Sequence, residues 1–152
     1  MPLREGLARL EGVESISDRP NVQHATCELR MTNGTLLDPL LLSNHIFDIR
    51  IGARLRGLEA TVDGSLEWRQ DTLLLHLQGT NSVLHLAPLE RKVELQPGVR
   101  SALLPTRREQ MAYQQLCKSA TSPQRVRVIG PIVKTSADAP LILQVREFQI
   151  KR

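Results

Sequence analysis

Short runs in which every second residue is apolar recur through the second two-thirds of the chain, and this spacing limits the fold more than any other feature. The odd-numbered positions of residues 73–77 are all leucine, and those of residues 141–145 are leucine or valine. Since successive side chains of a β-strand point to opposite faces, the spacing predicts strands that bury one face. We therefore predict a mainly β fold in which both sets of odd-numbered side chains face the core.

Turn residues and changes of alternation divide this part of the chain into five predicted strands. The apolar positions shift from odd to even at Gly57, which indicates a bulge or bend in a long first strand. Asp63-Gly64 is typical of a two-residue hairpin turn and ends that strand. The predicted strands cover residues 51–62, 65–77, 83–86, 125–133 and 141–150.

One helix is predicted between the third and fourth strands, over residues 106–118. Thr106 and Glu109 stand three positions apart just after Pro105 and match a capping box. In this motif each of the two residues satisfies a backbone donor that the first helical turn leaves free. We expect the helix to begin at Thr106.

Less regular signals precede the strands, in residues 1–48. Leucines at helical spacing predict a short amphipathic arm over residues 3–10, and residues 24–31 fit a strand closed by Asn33-Gly34. Asp38-Pro39 fits the start of a short helix. We interpret residues 1–48 as an arm and extension packed on a barrel that comprises residues 49–152.

The order of three strands, a helix and two further strands resembles that of the OB-fold, a five-stranded Greek-key barrel. The resemblance rests on element order rather than on a sequence motif. It implies an OB-like barrel with one α-helix between strands three and four, plus the N-terminal extension. It also implies a ligand surface on strands two and three, although the connection at Asp63-Gly64 is shorter than the loops of many nucleic-acid binders.

Charge is divided unevenly along the sequence, although the whole chain carries a net charge of +4. Residues 1–90 hold 8 basic and 12 acidic residues, whereas residues 91–152 hold 12 basic and 4 acidic residues. A basic segment attracts polyanions through its field and through counterion release. The alternative is that these charges only keep the surface solvated. We expect a binding module, with single-stranded nucleic acid as the first ligand class.

Cations on the predicted strands supply the candidate contacts to nucleic acid. Arginine binds phosphate and stacks on bases, and tryptophan offers a stacking platform. The alternative is that Trp68 is a core residue, and with four aromatic residues in all the chain can offer one or two platforms. The candidate nucleic-acid-binding residues are Arg54, Arg56, Trp68, Arg69, Arg125, Arg127, Lys134 and Arg146.

Signatures of catalysis are missing from the sequence. It has no nucleophile elbow and no glycine-rich phosphate loop, and no spacing of carboxylates singles out an acid and a base. A two-residue turn at Thr80-Asn81 would place His76 opposite His85, but zinc needs about three or four protein ligands. We therefore expect no enzyme activity, no cofactor and no metal.

Protein assembly is the alternative function class. An acidic first part and a basic second part can pair between copies of the chain or with a partner protein. The two cysteines, which do not form a disulfide framework, favour a reducing compartment. The N-terminus lacks a signal peptide and apolar runs are short, so we expect a cytoplasmic protein without a membrane partner, unless a leader was removed.

Overall fold

The computed structural model describes residues 2–20, 25–32, 35–48, 57–78, 80, 82–93, 104–119 and 124–151. The first part of the chain forms α1 (Pro2–Ala8), β1 (Val13–Pro20), β2 (Ala25–Met31) and α2 (Pro39–Asp48). The second part forms β3 (Glu59–Arg69), β4 (Thr72–Leu77), β5 (Val83–Pro88), α3 (Arg107–Ser119), β6 (Arg125–Val133), β7 (Ile142–Val145) and β8 (Glu147–Ile150).

Five strands close into a mixed barrel, which confirms the prediction of a mainly β barrel. β3 pairs antiparallel with β4 through its second half and with β6 through its first half. β4 pairs antiparallel with β5, β5 pairs parallel with β7, and β7 pairs antiparallel with β6. β8 follows β7 after a break at Arg146 and pairs with the start of β6. This break accounts for the predicted change of alternation between residues 145 and 148.

The barrel encloses the apolar side chains that the alternation selected. Leu73, Leu75 and Leu77 are buried, as are Leu143 and Val145. Leu141 is partly buried and packs against the same core. The predicted core faces of these strands are therefore confirmed. Helix α3 adds its own buried residues, Ala112 and Leu116, to this cluster.

The predicted hairpin turn at Asp63-Gly64 is wrong, because β3 runs through both residues without a break. The chain instead turns at Gln70 and Asp71, where Gln70 adopts a φ of 56°. Gly64 serves a close approach between strands: a Cβ at this position would lie 2.2 Å from the carbonyl oxygen of His76. Tertiary contact, and not turn geometry, explains the glycine. The bend predicted at Gly57 involves residues 51–56, which lie outside the described part of the chain.

The predicted register between β4 and β5 is also wrong, by two residues. His76 is the partner of Val83, and His85 is the partner of Leu74, so the two histidines do not face each other. The physical reason is a longer connection, since the amide of Leu77 donates to the carbonyl of Ser82. Four residues, 78–81, therefore separate the paired positions, whereas the prediction assumed a two-residue turn.

The helices of the N-terminal part enclose a smaller apolar cluster. Leu7 of α1 packs there with Leu42 and Ile46 of α2, and Leu58 contacts both this cluster and the barrel core. The arm, the strand and the helix predicted in this region appear as α1, β2 and α2, whereas β1 was not predicted. Asp38 caps α2, since its Oδ1 accepts a hydrogen bond of 2.8 Å from the amide of Leu40. The predicted turn at Asn33-Gly34 lies outside the described residues.

The capping box predicted at the start of α3 is present. The amide of Glu109 donates to Thr106 Oγ1 at 3.2 Å, and the amide of Thr106 donates to Glu109 Oε1 at 3.0 Å. We expect Thr106→Ala to lower the free energy of unfolding by about 1 kcal/mol, because one of the two capping bonds is lost. Urea denaturation monitored by circular dichroism measures this loss. Thr106→Ser is the control and should retain most of the stability, and equal stability of the alanine variant would contradict the role of the cap.

Candidate functional site

Three charged side chains meet on the outer face of β3 and β6, next to the end of β8. Arg127 donates from Nε to Asp63 Oδ1 at 2.8 Å and from a terminal nitrogen to Asp63 Oδ2 at 3.1 Å. Lys151 Nζ lies 2.9 Å from the same Oδ2. All three side chains are partly exposed, with 43%, 32% and 38% of the surface of Arg127, Asp63 and Lys151 accessible to solvent. One carboxylate thus holds two cations at the surface.

Strand register produces this cluster. Asp63 and Arg127 are direct partners in the β3–β6 ladder, so their side chains leave the sheet on the same face. The amide of Lys151 donates to the carbonyl of Arg125, which brings the residue after β8 to the start of β6. Hydrogen bonds from Arg127, and then from Lys151, outweigh burial and lower the pKa of Asp63 to about 2. Asp63 is therefore ionised at neutral pH, and Asp63, Arg127 and Lys151 together carry one net positive charge.

Arg125 adds a further positive charge beside this cluster. It is exposed at the first position of β6, and within the described residues its guanidinium forms no ion pair. Its partner in the ladder is Ser65, which is also the partner of His76 on β4. One row of paired positions therefore crosses the sheet from the residue after β8 through β6 and β3 to β4. It consists of Lys151, Arg125, Ser65 and His76. We call Arg125, Arg127 and Lys151 the basic cluster.

Trp68 lies near the end of β3, three residues beyond the partner of Arg125. Pairing with β6 ends at Ser65, so β3 continues past the edge of β6 and the indole is 40% exposed. The interpretation of Trp68 as a core residue is therefore wrong. A separation of three strand residues corresponds to about 10 Å along the strand. Because successive side chains alternate between the faces of a strand, Trp68 leaves β3 on the same face as Leu66, so the exposed ring and the basic cluster lie on opposite faces of β3.

Arg69 shares the exposed end of β3 with a small charge network. Its guanidinium lies 3.4 Å from Glu67 Oε2, and 63% of its side chain is accessible to solvent. Glu67 also contacts Nε2 of His76 across the β3–β4 ladder. The contact with His76, followed by the charge of Arg69, lowers the pKa of Glu67. Both Arg69 and His76 thus face a carboxylate that would oppose an anionic ligand.

Arg146 is placed away from the basic cluster, in a network that joins β3, α3 and β8. It donates two hydrogen bonds to Glu59, at 2.7 and 3.2 Å, and a third to Glu147 at 3.0 Å. Glu109 lies 3.5 Å from the same guanidinium and 3.0 Å from Lys92 Nζ. With 21% of its side chain accessible, Arg146 neutralises carboxylates and holds the barrel elements together.

Lys134 likewise stabilises the fold. Its Nζ lies 2.5 Å from Asp38 Oδ2, and 13% of the lysine side chain is exposed. Asp38 also caps α2, so the ion pair ties that helix to the end of β6. Burial acts to raise the pKa of Asp38, but the bond from Lys134 and the amides of α2 lower it. The other two predicted residues, Arg54 and Arg56, lie outside the described part of the chain.

The buried carboxylate of Glu109 predicts a loss of stability in acid. Burial acts to raise its pKa, but hydrogen bonds from Thr106 and the bond from Lys92 prevail and hold the pKa at about 2, below the ordinary 4.5. A depressed folded-state pKa contributes stability that is complete above pH 4.5 and declines as the pH falls toward 2. We therefore expect the free energy of unfolding, measured with urea at pH 7, 4 and 3, to fall across this range.

Glu109→Gln tests the assignment of that acid sensitivity. The variant should be less stable at pH 7 but lose less stability between pH 4.5 and 3, because it has no proton to take up. Asp63 titrates in the same range, from an ordinary value of 3.8 to about 2, so part of the pH dependence should persist. An unchanged pH profile in the glutamine variant would contradict the role given to Glu109.

Sequence reasoning missed Asp63, Lys151 and His76 as parts of this surface. Asp63 was assigned to a turn, and its pairing with Arg127 depends on a register between strands 64 residues apart. The alternation of residues 125–128, with arginine at odd positions and valine at even positions, is the signal that indicates an outward basic edge.

No match was found when the chain was compared with protein-family models, curated proteins and solved structures. Among the described residues, no group of three or more histidine, cysteine, aspartate or glutamate side chains is arranged to hold a metal ion. A search of those residues also finds no helix long and apolar enough to cross a membrane. The fold and the surface therefore define the chain as a mainly β barrel with a basic cluster on its outer face.

Proposed function

We propose that the barrel is an OB-like Greek-key barrel. The support comes from the closed order β3, β4, β5, β7, β6 and back to β3, with a single parallel pairing between β5 and β7. Helix α3 lies in the connection from the third to the fourth barrel strand, and Ala112 and Leu116 pack it onto the core. The basic cluster lies on the β3–β6 side of this barrel. The usual ligand surface of the fold is the face of the second and third strands, here β4 and β5. The basic cluster therefore lies outside that surface.

We further propose that the chain is a non-enzymatic module that binds single-stranded nucleic acid through the basic cluster. The convergence of Arg125, Arg127 and Lys151 on one outer face is the observation that carries this proposal. Asp63 pairs with Arg127 and Lys151 and neutralises one of the three positive charges, so the surface remains positive. Arg69 is left out of this set, because the carboxylate of Glu67 next to it opposes an anionic ligand.

Contact with phosphate supplies the binding energy in this mechanism. Arg125 and Arg127 are two residues apart on one strand, a repeat of about 6.8 Å that suits consecutive phosphates of an extended strand. Trp68 takes no part in these phosphate contacts, because its side chain leaves β3 on the opposite face. Because phosphate contacts carry no sequence information, we expect little discrimination between sequences.

Titration of single-stranded DNA and RNA oligonucleotides at several salt concentrations tests the proposal. Replacing both Arg125 and Arg127 with glutamine should weaken binding by about tenfold at low salt and reduce the slope of log K against log salt by about 1.4, the value for two single-strand phosphates. Replacing Arg107 and Arg108, two exposed arginines at the start of α3, removes the same charge elsewhere and should change affinity less than about twofold. No binding by the wild-type chain at low ionic strength would overturn the proposal.

Exposed leucines favour protein assembly as the second candidate function. Leu41 at the start of α2 is 68% exposed and Leu104 before α3 is 70% exposed. Leu40, next to Leu41, and Met111 of α3 are also exposed. Sedimentation velocity of the wild type and of a Leu41→Gln, Leu104→Gln variant tests this alternative. A monomeric wild type at high concentration would count against self-association.

A further inference from the structure

We infer that Asp63 is an internal competitor for phosphate, so that the basic cluster binds its ligand weakly and releases it readily. This inference rests on the proposed function, because it concerns the same surface. It assigns to Asp63 a role in setting affinity and selecting ligands, and no direct contact with the nucleic acid.

The geometry of Asp63 is the geometry that a phosphate would require. Its two oxygens accept the paired donors of Arg127, at 2.8 and 3.1 Å, and Oδ2 also lies 2.9 Å from Lys151 Nζ. The two non-bridging oxygens of a phosphodiester match the same arginine donors in a bidentate arrangement. A phosphate that takes these donors must therefore displace the carboxylate, or use only the remaining donors of Arg127.

The site is open to such an exchange. Between about a third and two-fifths of each side chain is accessible to solvent, so a ligand can reach the donors from outside. Asp63 lies within the part of β3 that pairs with β6, so its carboxylate stays next to the donors when a phosphate displaces it. With a pKa of about 2, the Asp63 carboxyl group is charged at neutral pH, where it competes with phosphate for the donors of Arg127.

Competition of this kind selects between anionic ligands. A single phosphate gains little by replacing a carboxylate that already satisfies the same donors. A strand that also contacts Arg125 gains an additional phosphate interaction and can offset the exchange. The basic cluster should therefore prefer an extended polyanion with several phosphates over inorganic phosphate or a mononucleotide.

The test is Asp63→Asn, which removes the charge while retaining the size of the side chain and one oxygen acceptor. We expect its affinity for a single-stranded oligonucleotide at low salt to rise by about fivefold, with a salt slope steeper by about 0.7, equivalent to one more phosphate. Asp138→Asn is the matched control. Asp138 is exposed and follows β6, whose far end is about 20 Å along the strand from Arg127. Removing the charge of Asp138 should therefore change the affinity less than about twofold.

A second measurement does not depend on the oligonucleotide. The NMR resonance of the Arg127 Nε–H group should respond to inorganic phosphate at lower concentration in Asp63→Asn than in the wild type. Thermal melting checks that the variant folds, and Asp63→Ser, which also removes the charge, replaces it if it does not.

The outcomes separate this inference from the proposed function. If the wild type binds the oligonucleotide and Asp63→Asn binds it with the same affinity and salt slope, the inference is overturned and the function stands. An Arg127 resonance that responds identically to phosphate in both proteins overturns it as well. If neither protein binds the oligonucleotide at low ionic strength, the proposed function fails and the inference fails with it.

Discussion

Gly130→Ala is expected to lower the free energy of unfolding by at least about 3 kcal/mol, the upper end of the usual range for overpacking in a core. A Cβ at Gly130 would lie 1.6 Å from the carbonyl oxygen of Gln144 and 2.8 Å from its carbonyl carbon. The amide nitrogen of Arg146 would lie 3.2 Å away. These neighbours belong to the backbone and cannot rotate aside, so β6 must separate from β7 at the break before β8.

Gly57→Ala is the control for this substitution. Its added Cβ would meet a methyl group of Val93 at 2.9 Å, and a side chain can yield where a paired strand cannot. Urea denaturation of the two variants should therefore show a much smaller loss for Gly57→Ala. A loss below about 1 kcal/mol for Gly130→Ala would contradict the close approach of β6 and β7.

Leu75→Ala should destabilise the protein by about 2–5 kcal/mol, the range for truncating a buried leucine. Leu75 has no accessible surface and lies in the middle of β4, paired with Leu66 of β3 and Leu84 of β5. Both partners are themselves buried, so the cavity has little freedom to collapse. Leu41→Ala is the exposed counterpart and should cost less than about 1 kcal/mol. Equal losses at the two positions, measured by urea denaturation, would contradict the placement of Leu75 in the core.

The core could be predicted from the sequence because alternation is a local property. Leucines at residues 73, 75 and 77 bury one face of β4 whatever strands lie beside it. The capping box of α3 is local too, since Thr106 and Glu109 are three residues apart. Patterns of this kind need no knowledge of which strands pair.

Apart from the register of β4 and β5, which depended on the length of one turn, the failed predictions depended on contacts between residues distant in sequence. Asp63-Gly64 has the composition of a hairpin turn, but the close approach of His76 and the ion pair with Arg127 place both residues within a strand. The candidate cations were chosen by residue type, and their different environments follow from register. Arg146 meets carboxylates from positions 59 and 109, which nothing nearby in sequence reveals. The exposure of Trp68 follows from where β6 begins, and its own neighbours in sequence do not indicate it.

The sharing of β3 between two neighbours has a consequence for how the protein folds. The β3–β4 hairpin can form early, because its partners are separated only by the turn at Gln70 and Asp71. The β3–β6 ladder joins residues such as Asp63 and Arg127, 64 positions apart, and must pay the entropy of closing a long loop. We therefore expect closure of the barrel to be the slow, late event in folding. The basic cluster is assembled across that closing ladder, so the surface that would bind a polyanion exists only in chains that have completed the barrel.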